Sequence, residues 1–243
     1  MKVYDRPKEN ISSLRGLRLG VLTSYINHTI DETSIEVSAS FFETLNKLSS
    51  AGAELVHFDD SCLHPTNLAL AEVALFEYED SINEYLSDPR HRSCPKNLAE
   101  IMLSGLTDEA ALGPTWPLVQ LPEMSISSPE YHARLHRIDR LKLSYAKNFA
   151  RHSLDAIIYP HQTILTVAIG QATQPGRNGL LTSLTGAPGV VVPMGFSSPS
   201  RSAKIGVPMG MEVVGMWGQD KRILGISDVI SGILSARKPP ILD

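Results

Sequence analysis

Leu154-Asp155-Ala156-Ile157-Ile158-Tyr159-Pro160, then His161-Gln162-Thr163, then NGLLTSLT at 178–185, Gly186, and APGVVVPMG at 187–195 form the stretch that decides the fold of this 243-residue chain. Ala156 to Tyr159 are four apolar residues without polar alternation, stopped by Pro160. A run of this kind reads as a short strand covered on both faces, as in parallel sheets. Residues 178–185 place apolar side chains at helical spacing and end at Gly186, and residues 187–195 read as a second buried strand between prolines. A strand–loop–helix–strand order puts His161, Gln162 and Thr163 just past a strand's carboxyl end, where open α/β sheets bind ligands.

Working outward, residues 17–21 read as a strand and residues 55–58 as another. Between them a helix is predicted to run from the Asp31-Glu32-Thr33 cap to Ala51, with Val37, Phe41, Leu45 and Leu48 on one stripe. Residues 67–86 read as one helix with Leu68, Leu75, Ile82 and Leu86 inward. Residues 87–128 are punctuated by prolines, with a short helix at 97–104. Ser128-Pro129-Glu130 opens a long helix to about Arg151 whose stripe is Ile138, Leu141, Tyr145 and Phe149. A strand at 209–214 and a last helix from Asp220, with Ile223, Ile226, Ile230 and Ile233 inward, complete the chain. A single domain over 1–243 is expected, with residues 1–13 and 236–243 flexible.

The ordered set DAIIYP, NGLLTSLTGAPGVVVPMGF and IGVPMGMEVVG, followed by Asp220 and a helix, resembles the C-terminal half of the amidase-signature hydrolases, especially the fungal branch. LRGLRLGVL at 14–22, SSAGAELVHF at 49–58, EYEDSINEYL at 77–86 and LAEIM at 98–102 extend the resemblance to residues 14–235. It implies an α/β class, a truncated amidase-signature-like fold with a mixed, mostly parallel sheet flanked by helices. It also implies hydrolysis by a serine nucleophile, a second serine in a cis peptide and a lysine, with the serines in a Gly/Ser-rich segment upstream of everything matched. The chain contains no Gly-Gly-Ser-Ser run, so no residue of it inherits that triad from the resemblance. A fold without its reacting groups does not carry its reaction. The sheet left without its other half needs a cover, and a homodimer is the expected one.

Composition bounds the remaining classes. A net charge of −4 without a basic cluster argues against nucleic acid and anionic membrane surfaces. No apolar run approaches the roughly 20 residues that span a bilayer. The start MKVYDRPKEN lacks a secretory core, and two cysteines, Cys62 and Cys94, suggest a reducing compartment, so a cytoplasmic protein is expected.

Among the candidate site residues, His161 is the first. It follows a buried strand into a loop facing the expected crevice, and imidazole titrates near neutrality. With Tyr159 and Gln162 it could move a proton or hold a carbonyl; the competing reading is a loop histidine capping backbone groups. Asn178, Thr182 and Thr185 bring amide and hydroxyl groups to the same neighbourhood, some as helix caps. Glu72 and Glu79, seven residues apart beside an inward helix stripe, are candidate substrate-binding and acid–base carboxylates, unless they sit at the stripe's edge and reach water. Trp116 is a candidate ligand-facing aromatic or a hydrophobic plug. His132 and His136 are spaced i, i+4 but point away from the buried stripe, so no metal is expected, and no cofactor.

These readings favour a non-hydrolytic small-molecule enzyme of cyclase, pericyclase or isomerase type, suited to secondary metabolism, working by pocket shape and aimed hydrogen bonds. The alternatives are a partial or inactive amidase acting on C–N bonds, or a non-catalytic small-molecule binding or regulatory protein.

Overall fold

The computed structural model describes residues 9–26, 31–91, 94–108, 115–119, 121–171 and 173–239. In chain order its elements are β1 (Arg18–Leu22), α1 (Thr33–Ser50), β2 (Glu54–Phe58), α2 (Pro65–Ala69), α3 (Ala74–Ser87), α4 (Leu98–Leu103), α5 (Thr115–Leu118), α6 (Pro129–His152), β3 (Ala156–Pro160), α7 (Leu180–Thr185), β4 (Gly189–Phe196), β5 (Pro208–Val214) and α8 (Asp220–Leu234). They fall into two compact units. The first holds residues 1–69, 140–169 and 173–243, and the second holds 70–139 with 170–172.

The first unit is built on a five-stranded sheet of order β2-β1-β3-β5-β4. β1 pairs in parallel with β2 and with β3, whereas β5 runs antiparallel to both β3 and β4. Side chains alternate across a strand, so each strand contributes to two faces. Leu19, Val21, Ala156, Ile158, Met211 and Val213 share one face, and Phe41, Leu45 and Leu48 of α1 with Ile223, Ile226 and Ile230 of α8 complete that cluster. The predicted stripes of both helices are therefore the ones buried. Ile157, Tyr159, Glu212 and Val214 point to the opposite face. There Tyr145 of α6 donates its hydroxyl to the Gly215 carbonyl at 2.7 Å, and the rings of Tyr25 and Tyr159 meet at 4.6 Å.

Three expectations need correction. Residues 187–195 are not a buried strand: β4 lies at the end of the sheet, and its Val191 is 50% exposed. An antiparallel edge strand tolerates Pro193, and the pairing slips between Pro193 and Gly195, where the missing N–H has no ladder to break. Residues 9–13 are not loose. Glu9 donates its N–H to the Lys221 carbonyl at 2.7 Å, and Ile11 packs on the core. This approach needs Gly225, because a Cβ there would fall 2.4 Å from the Glu9 carbonyl oxygen. Residues 1–8 and 240–243 lie outside the described residues, while Ala236 packs on the core.

The third correction concerns residues 67–86, which do not form one helix: α2 ends at Ala69 and α3 begins at Ala74. In the second unit the carbonyls of Leu70 and Glu72, which a continuous helix would have used, accept from the Arg137 and Arg134 guanidiniums at 2.9 and 2.7 Å. Glu72 accepts the Ala74 N–H at 2.8 Å, taking up one free donor of the new helix's first turn. The restart shifts the helical phase. Phe76, not Leu75, is the buried residue of its first turn, with the Arg134 guanidinium 5.0 Å above its ring. Among the described residues no helix is long and apolar enough to cross a membrane.

Candidate functional site

The loop that leaves β3 is fixed by the backbone. His161 donates its N–H to the Gly210 carbonyl at 2.9 Å, and its own carbonyl accepts the Asn178 N–H at 3.0 Å. Asn178 is buried, and its Nδ2 donates to the carbonyls of Tyr25 and Pro160 at 3.1 and 2.8 Å. The side chain thus pins the β3 end to the turn after β1, and it does so entirely with backbone partners. Thr185 is spent in the same way: its hydroxyl donates to the Leu181 carbonyl at 2.6 Å and accepts the Ala187 N–H. Both residues build the site's frame.

His161 and Gln162 border a cleft of ≈ 380 Å³ with Val37, Ile164, Val207 and Met209. Behind His161 lies the residue that sequence reading passed over. Glu212 sits in β5 opposite Tyr159 in the antiparallel register, and only 5% of it is exposed. Its Oε2 is 3.4 Å from Nδ1 of His161, and its Oε1 accepts the Thr182 hydroxyl at 3.2 Å. Thr182, predicted as a substrate contact, therefore supports a carboxylate. Gly189 makes that possible, since a Cβ there would come within 2.9 Å of the Thr182 methyl.

Three buried atoms in this cluster have no hydrogen bond of ordinary geometry: Nδ1 of His161, Oε2 of Glu212 and the Tyr159 hydroxyl. The His161 side chain is 39% exposed although its Nδ1 is buried, which leaves Nε2 as the ring nitrogen available to a ligand. Burial, then the negative charge of Glu212, holds the Tyr159 phenol well above the usual tyrosine range. Tyr25 and Tyr145 are pushed in the same direction by the same two causes, in the same order. All three phenols keep their protons, which makes them donors and not nucleophiles.

The remaining predicted residues stand elsewhere. Glu79 is exposed on α3, and Glu72 lies in the break before it, both in the second unit. The reading of two carboxylates beside one inward stripe fails with the helix that would have carried it. Glu77 accepts the Tyr131 hydroxyl at 2.8 Å in the same unit. Trp116 falls within α5, but its side chain lies outside the described residues. His132 and His136 are exposed, and no group of three or more metal-ligating side chains occurs among the described residues. The one signal for Glu212 was a lone acid inside MGMEVVG, an otherwise apolar strand.

Comparison with known proteins gives one consistent answer. The sequence profile of the family described as Amidase matches residues 2–224. An indoleacetamide hydrolase of Agrobacterium vitis is 28% identical over 244 residues, covering 93% of this chain and 49% of that protein. A mandelamide hydrolase of Pseudomonas putida is 26% identical over 255 residues, with 95% and 46% covered. The native peptide amidase of Stenotrophomonas maltophilia shares the fold with a TM-score of 0.67 at 20% identity, over 95% of this chain and 45% of that one. The chain spans about half the length of the relatives it matches.

Proposed function

Because the chain belongs to the amidase family, we propose that it works within a hydrolase of amide C–N bonds, and that its share is to bind a small aryl amide in the His161 cleft. The observation that carries this reading is the alignment of more than nine-tenths of the chain with hydrolases of indoleacetamide and mandelamide, two amides that pair an aryl group with a polar head. The cleft suits such a ligand: apolar side chains of Val37, Ile164, Val207 and Met209 face the ring, while His161 and Gln162 face the amide. The reading as a cyclase, pericyclase or isomerase has no comparable support from these relatives and gives way to this one.

Turnover needs a nucleophile. The resemblance puts the family's serines in a Gly/Ser-rich segment, and these 243 residues contain no Gly-Gly-Ser-Ser run; we infer that the nucleophile lies outside them. Hydrolysis is therefore expected only in the presence of such a segment, whichever polypeptide carries it. Calorimetry of the purified chain with phenylacetamide, beside an ammonia-release assay, tests both halves. Saturable binding without ammonia release is expected. No binding at millimolar ligand would end the cleft reading, and release by the chain alone would end the claim that the nucleophile comes from elsewhere.

A further inference from the structure

We propose that Glu212 is the positioning residue of this cleft, holding His161 in the tautomer protonated at Nδ1 so that the bare Nε2 accepts a hydrogen bond from the N–H of the bound amide. The inference rests on the amide reading for its ligand class but on geometry for the tautomer. Nδ1 of His161 and Oε2 of Glu212 are both buried, lie 3.4 Å apart, and make no hydrogen bond of ordinary geometry elsewhere, with the Tyr159 hydroxyl the other group drawn to the carboxylate. Buried polar atoms left unpaired carry a desolvation cost, so the two are driven to satisfy each other. A contact slightly long for a hydrogen bond is common before a ligand tightens the site.

The carboxylate cannot turn away. Its other oxygen is held by Thr182, its backbone lies in a strand paired on both sides, and Tyr159 occupies the register position opposite. An ionised carboxylate only accepts, so Nδ1 must donate, and the neutral ring then presents a lone pair at Nε2. His161 borders a cleft whose other walls are mostly apolar, and Nε2 is the nitrogen left to meet a ligand there. A lone pair there selects ligands with an N–H donor over those carrying only a carboxylate, which it repels. The site should therefore prefer an aryl amide to the corresponding acid, a useful bias where the amide is substrate and the acid is product.

The test uses the full chain labelled with ¹⁵N-histidine and two-bond ring correlation spectra at about pH 8.5, two units above the ordinary imidazole pKa. His161→Asn identifies the signal. The expected wild-type spectrum shows a protonated Nδ1 and a bare Nε2, and the Nε2 resonance moves on addition of phenylacetamide but not of phenylacetate. Glu212→Met, which removes the acceptor at similar volume, should lose the tautomer preference and weaken phenylacetamide binding at least about tenfold. Glu212→Gln, which keeps an acceptor oxygen, should recover part of both. A proton on Nε2 in the wild type, or Glu212→Met binding as the wild type does, overturns the proposal. If Glu212→Met fails to fold, the wild-type tautomer decides alone. A protein with the expected tautomer that binds no aryl amide overturns the function proposed above and leaves the positioning role standing.

Discussion

Three tyrosines buried on one side of the sheet differ in a way that can be measured. Tyr25 and Tyr145 donate their hydroxyls to the carbonyls of Leu63 and Gly215, each at 2.7 Å, whereas the Tyr159 hydroxyl has no carbonyl partner and meets only the Glu212 carboxylate, without ordinary hydrogen-bond geometry. Removing a bonded hydroxyl strands a carbonyl, while removing an unbonded one strands nothing. Tyr145→Phe is expected to cost about 1–2 kcal/mol by urea unfolding, and Tyr159→Phe less than about 0.5 kcal/mol or to stabilise. Equal losses for the two variants would mean that Tyr159 does find a partner, with Glu212 the nearest candidate. This is also the scale at which the sequence said least. Apolar periodicity marked 209–214 as a strand, and a single acid inside it leaves that pattern intact. What gives Glu212 its meaning is its opposite number in β3, some fifty positions away, and register between distant strands is not written in either strand alone.

At the level of elements, Asp60 ties the turn after β2 to α6. Its Oδ1 accepts the Cys62 N–H at 2.8 Å, and its Oδ2 accepts Ser144 Oγ at 2.6 Å and Asn148 Nδ2 at 2.7 Å. Burial alone would raise this carboxyl, but the hydrogen bonds from Ser144, Asn148 and Cys62 outweigh it and leave it below the usual 3.8. A carboxyl lowered in the folded state contributes stability that is complete above the unfolded value and drains away as pH falls through the folded one. Asp60→Asn should therefore flatten the fall in Tm below about pH 4, and cost less than about 1 kcal/mol at pH 7, where solvent screens a partly exposed group. A mutant whose acid limb parallels the wild type's would show that another carboxyl governs it. The buried faces of α1, α6 and α8 were legible because spacing alone fixes which side of a helix is apolar. The break between α2 and α3 was not. Leu68, Leu75, Ile82 and Leu86 keep the rhythm of one helix, and the interruption is secured by Arg134 and Arg137, whose guanidiniums take its freed carbonyls from far along the chain.

For the molecule as a whole, the free side of β4 is the exposed liability. Among the described residues nothing pairs with β4 on that side, its Val191 is half-exposed, and edges of this kind invite a second strand. If the homodimer expected from the sequence forms, we expect two copies to pair β4 with β4. Light scattering at micromolar concentration should return twice the 26.6 kDa chain mass, and Val191→Lys should return it to one. A wild-type monomer would count against pairing, and a dimer indifferent to the lysine would place the contact elsewhere. The same sheet sets a timetable for folding. β1 and β2 are neighbours in sequence, yet β1 also pairs with β3, and beside that ladder the Arg18 N–H to Asp155 Oδ2 bond spans 137 positions. On the ribosome β1 waits half-paired until β3 has emerged, and closure over so long a loop is slow. Refolding from denaturant should accordingly be unhurried and concentration-sensitive, with chaperones shielding an early βαβ fragment whose inner border is still vacant.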